Sequence, residues 1–113
     1  MEHEKLQKLI LRIVRQSSTE KQPVRSRIIR VALLSHGILI ADVPLRKILK
    51  EPFLLLEKNV YGCRHGFYIA KTMEGFKRGI AWQERKYKKI AHNTGQMRKK
   101  MKRMFPKQLE IKL

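Results

Sequence analysis

The sequence predicts a mainly α fold with a small β-hairpin and a long basic C-terminal helix. Three observations carry that reading. Apolar residues recur every three or four positions in blocks through the first fifty residues and again beyond residue 73, which is the period of an amphipathic helix. Between those blocks, Val60–Ala70 (VYGCRHGFYIA) places two apolar ends around a glycine-flanked basic tip, the pattern of a hairpin. Finally, 27 Lys and Arg stand against 9 Asp and Glu for a formal net charge of +18. That excess is densest at the C-terminal end, where residues 71–113 hold 14 basic and 3 acidic side chains against 13 and 6 before them.

Taken in order, Leu6, Leu9, Ile10, Ile13 and Val14 predict a first helix over residues 4–16. The polar run from Ser17 to Pro23 is loop chemistry. Ile28, Ile29, Ala32 and Leu33 predict a second helix over 25–35, with Gly37 as its stop. Asp42 is placed to cap a third, with Pro44 in its first turn, Leu45, Ile48 and Leu49 facing inward, and Pro52 ending it. Phe53–Leu56 is expected as a short apolar strand, followed by the hairpin. Thr72 is expected to cap a helix running from Met73 to about Met104, with Phe76, Ile80, Tyr87, Ile90 and Ala91 along its apolar stripe. The chain divides accordingly into a domain over residues 1–92, including the start of that helix, and a basic helical arm and tail over 93–113.

So much positive charge calls for an anionic partner. Nucleic acid is the commonest, because each phosphate neutralised by Lys or Arg releases condensed counterions. Cys63 is the single cysteine, which excludes an internal disulfide; with His65 it supplies two ligands where structural zinc takes four. No apolar stretch approaches the roughly 18–20 residues of a membrane span, and the first residues lack the order of a signal peptide. The expectation is therefore a cytoplasmic protein with no membrane span. No phosphate-cradling glycine loop, paired carboxylates or nucleophile with its base can be recognised, so no enzymatic activity and no cofactor are expected.

The order helix, helix, turn, basic helix, hairpin is that of a helix-turn-helix with a wing. Asp42–Leu49 (DVPLRKIL), Val60–Ala70 (VYGCRHGFYIA) and Lys71–Phe76 (KTMEGF) resemble the small winged-helix modules of phages and bacterial mobile elements. Those modules show a Leu-Arg-Lys helix, a Gly-x-x-x-Gly wing and an Ala-Lys-Thr lead into a final helix. The resemblance covers about residues 23–90 and implies a winged helix-turn-helix that binds double-stranded DNA, in replication initiation or transcription regulation. On that reading Val43, Arg46, Lys47 and Lys50 of the third helix face the major groove, Arg being the strongest base-reader. Arg64 and His65 at the wing tip meet phosphate or the minor groove, and Arg25 and Arg27 set the register.

Arg85, Lys88, Lys89, Arg98, Lys99, Lys100, Lys102 and Arg103 would add backbone affinity from the arm. The same arm supports other readings, in which the protein binds RNA within a ribonucleoprotein or acts as a cationic amphipathic helix at a membrane or acidic partner. Met97, Met101 and Met104 could pack against a partner helix, consistent with a homodimer through the long helix. Tyr61, Phe67, Tyr68 and Trp82 are at core spacings, with base stacking as the alternative. Gln108–Leu113 (QLEIKL) resembles the Gln-Leu-x-Leu-x-Leu peptides that dock on bacterial sliding clamps.

Overall fold

A computed structural model describes residues 2–86 and 91–105, and shows a mainly helical chain with one two-stranded antiparallel hairpin. Helix α1 (His3–Ser17) buries Leu9, Ile10, Leu11, Ile13 and Val14. Helix α2 (Ser26–Ser35) buries Ser26, Ile29 and Leu33. It ends at a turn in which the Ile38 N–H reaches back to the Leu33 carbonyl at 3.0 Å. Helix α3 (Asp42–Leu49) buries Leu45, Ile48 and Leu49, and the three helices close a first core with Val24, Leu54 and Val60. The expected cap on α3 is not formed: Asp42 lies inside the first turn and Ala41 is the cap residue. The Asp42 carboxylate is drawn away by stronger partners, accepting the Ser26 hydroxyl at 2.8 Å and pairing with Arg46 Nε at 2.8 Å.

Residues 53–56 are not a strand. They belong to a π-helical turn, Phe53–Glu57, closed by the Lys58 N–H on the Phe53 carbonyl at 3.1 Å. Leu54 and Leu55 are both buried in this turn, but in different cores. Successive side chains diverge around a helical turn, so one leucine serves the core of α1–α3 and the next serves the core beyond it. The Lys100 ammonium donates to the Leu56 and Glu57 carbonyls at 2.8 and 3.1 Å, satisfying acceptors that the end of a helical turn leaves open.

The hairpin joins β1 (Val60–Cys63) to β2 (Gly66–Ile69), with Arg64 and His65 as its tip. Gly66 has φ +134°, and a Cβ there would overlap the Val24 carbonyl. Only glycine permits this close approach. Val24 runs beside β2 and exchanges N–H···O bonds with Phe67 at 2.8 and 2.7 Å, which ties the loop before α2 to the hairpin.

Helix α4 (Met73–Lys86) starts as the sequence predicts: the Thr72 hydroxyl accepts the Gly75 N–H at 3.1 Å. Glu20 reinforces that start. Its carboxylate accepts the Lys71 and Thr72 N–H groups at 2.6 and 2.8 Å and the Thr72 hydroxyl at 2.7 Å. Its backbone carbonyl accepts Arg78. Glu20→Ala is expected to cost about 1–2 kcal/mol, the worth of a helix cap, seen as a lower urea midpoint with earlier amide exchange in the first turn of α4.

The continuous helix expected from Met73 to Met104 is instead two helices, α4 and α5 (Ala91–Met104). They pack antiparallel, for Glu84 pairs with Arg98 and Phe76 meets Phe105 edge-on at 5.9 Å. Met97 and Met101, 1% and 8% exposed, enter a second core with Leu55, Tyr61, Tyr68, Phe76 and Ile80. The expected arm is thus a wall of the fold. Two methionines of its stripe, Met97 and Met101, are used within the chain to cover the faces of the hairpin and α4, while Met104 is 45% exposed. Among the described residues, no helix is long and apolar enough to cross a membrane.

Candidate nucleic-acid interface

A cleft of about 560 Å³ opens where the start of α2, the end of α3, the hairpin tip and the last turns of α4 meet. Each element contributes basic side chains for a local reason. Arg25 is the extended cap residue of α2 and Arg27 lies in its first turn. Arg46 and Lys50 come from the end of α3, whose apolar side is committed to the first core. Arg64 and His65 form the two-residue tip that the pairing of Cys63 with Gly66 leaves outside the ladder. Lys86 ends α4. All seven line the cleft, alongside Leu49, Leu55, Val60 and Phe67, and among the described residues no carboxylate does. Like charges gathered around a low-dielectric hollow focus a positive potential that an anion relieves.

Arg46 is held in place. Its Nε pairs with Asp42 four residues earlier, and its terminal nitrogen points to the Ser26 hydroxyl at 3.5 Å. The Ser26 hydroxyl, with the guanidinium groups of Arg46 and Arg30, keeps the Asp42 carboxyl below its ordinary value of 3.8. A carboxyl lowered by folding stabilises the protein above its unfolded pKa, and that contribution disappears as pH falls through the folded value. The melting midpoints of wild type and Asp42→Asn are therefore expected to differ near pH 6 and to converge below pH 3.8. The gap is modest, because the Asp42 side chain is 40% exposed.

Six of the site residues predicted from sequence meet in this cleft: Arg25, Arg27, Arg46, Lys50, Arg64 and His65. Lys47 and Val43 lie exposed on α3. Arg85 lines a smaller hollow of about 240 Å³ on α4, together with Arg64 and His65. On α5, Lys99, Lys102 and Arg103 are exposed, whereas Arg98 is paired with Glu84. Lys100 is turned to the π-helical carbonyls, and burial and the nearby Arg103 hold its ammonium below the ordinary lysine value. Lys88, Lys89 and the QLEIKL segment lie outside the described residues.

Comparison with protein-family models, curated proteins and solved structures finds no match. The site therefore rests on its own geometry. Among the described residues no group of three or more His, Cys, Asp or Glu side chains is placed to hold a metal ion.

Gln83 lines the cleft without having been expected there from the sequence, and it is joined by Trp82, for which base stacking is the alternative to core packing, and by Lys86 of the basic run over residues 85–89. Tyr61 and Tyr68 are buried in the second core, while Trp82 is only half-buried and belongs to neither core. The signal was the i,i+4 spacing of Trp82 and Lys86, which puts them on one helix face. The Lys86 ammonium does lie 5.6 Å from the Trp82 ring centroid.

Proposed function

We propose that this chain binds double-stranded DNA in the manner of a winged helix-turn-helix, with α3 toward the groove and the hairpin against the flanking backbone. The observation that carries the reading is the cleft, where the start of α2, the end of α3, the hairpin tip and α4 present six Lys and Arg side chains with no carboxylate among the described residues of the lining. The order of α1, a strand-like Val24, α2, α3 and hairpin supports it, as does the exposed face of α3 carrying Val43, Arg46 and Lys47. In this reading Arg46 is the base-reader, because the Asp42 pair fixes its fork before DNA arrives and less side-chain entropy is lost on binding. Arg25, Arg27, Arg64 and Lys86 meet phosphates, which position the protein without reading sequence. Control of replication initiation or transcription is the corresponding role.

Competition at about physiological salt among duplex DNA, single-stranded DNA, structured RNA and anionic vesicles tests the reading, followed by selection from a random duplex library. Duplex DNA is expected to win and to yield an enriched motif. Preference for structured RNA or vesicles would overturn it.

A further inference from the structure

The cleft holds more than cations. Trp82, the one tryptophan of the chain, forms part of the wall shared by the main cleft and the smaller hollow beside the hairpin tip. Its neighbour Gln83 lines the main cleft, is 6% exposed, and has a side-chain amide nitrogen with no hydrogen-bond partner among the described residues. A buried donor left unpaired is costly to folding, and in a packed structure it calls for an explanation. The Lys86 ammonium stands 5.6 Å from the Trp82 ring centroid, so a phosphate-binding cation sits beside an aromatic surface.

Together these supply the parts of a nucleotide site: an indole on which a base can stack, an amide able both to donate and to accept at a base edge, and cations for the flanking phosphates. The cleft, at about 560 Å³, falls within the range of about 300–1,000 Å³ that small-ligand sites occupy. A fully paired duplex offers neither a free base face nor a free pairing edge, so the occupant has to be unpaired. We propose that the cleft receives one unpaired nucleotide of a DNA duplex, stacked on Trp82 and hydrogen-bonded to Gln83, with its neighbouring phosphates on Arg25, Arg64 and Lys86. Gln83 presents its amide by rotating its side chain into the cleft. This inference rests on the DNA-binding reading above and adds to it a preference for a structural feature of the duplex.

The test uses the full chain and two duplexes of the same sequence, one fully paired and one carrying a single-nucleotide thymidine bulge, with Trp82 fluorescence as the readout. The bulged duplex is expected to bind about 5- to 140-fold more tightly, the worth of one stacked base, and to quench Trp82 where the paired duplex does not. Gln83→Leu removes the unpartnered amide, so it is expected to raise the melting midpoint of the free protein while reducing the preference for the bulge. Its affinity for the paired duplex should stay as in wild type. Equal affinity for the two duplexes, a preference without quenching, or a preference undiminished in Gln83→Leu overturns the nucleotide site and leaves duplex binding standing. Failure of the wild type to bind either duplex removes both readings.

Discussion

Replacing Met97 with alanine is expected to lower the stability of the protein by about 2–5 kcal/mol, the range for truncating a large buried side chain. Measured against the roughly 5–15 kcal/mol that holds a domain of this kind folded, that is a large share. Met97 is 1% exposed and sits among Leu55, Tyr61, Phe76 and Met101, with Tyr61 and Phe76 in edge-to-face contact at 5.4 Å. Truncation leaves a void in a close-packed core. Urea unfolding followed by far-UV circular dichroism reads the change. Were α5 a detached arm, the same substitution would shift the midpoint by little, so the experiment separates a helix that is part of the fold from one that is appended to it. Lys99→Ala, on the exposed side of the same helix, is the matched control and should leave the midpoint in place.

The double substitution Arg64→Ala with Lys86→Ala is expected to have the largest effect on DNA binding. Each phosphate that the protein no longer neutralises lowers the slope of log affinity against log salt by about 0.9, so removing two cations from the cleft lowers it by about 1.8. The affinity ratio between 50 and 200 mM salt should then shrink by about 12-fold relative to wild type. Binding isotherms across that range measure it. Lys99→Ala with Lys102→Ala removes the same charge from α5, outside the cleft, and should change the slope less. Equal slopes in the two double variants would show that net charge, rather than the cleft, governs affinity. Arg46→Ala differs in kind: it should erode discrimination between sites by about 1–3 kcal/mol at one base pair.

Much of this was legible in the chain because helical and hairpin periods are local. The inward stripes of α1, α2 and α3, the Thr72 cap and the hairpin tip all follow from spacing and glycine placement. The π-helical turn was not legible, since four consecutive apolar residues, Phe53–Leu56, have no period to read. Its identity depends on two cores lying on different sides of it, which is tertiary information. The division into α4 and α5 was hidden in a similar way: no glycine or proline stands between Lys86 and Ala91 to mark it. Charge also disguised α5, where Met97 and Met101 are outnumbered by the cations around them, although the i,i+4 spacing was itself a burial signal. For the site, Arg25, Arg46 and Arg64 could be named from the order of elements. Gln83 could not, because a glutamine within a helix looks like any solvated residue until its surroundings are known.

The adjacent pair Leu54 and Leu55 has a consequence for how the protein comes apart. One peptide bond joins a residue of the first core to a residue of the second, and Lys100 clamps the same turn from the far end of the chain. Neither half can loosen without pulling on the other. The described chain should behave as one cooperative unit, so that heat, denaturant or a damaging substitution in either half melts both along a single sigmoid.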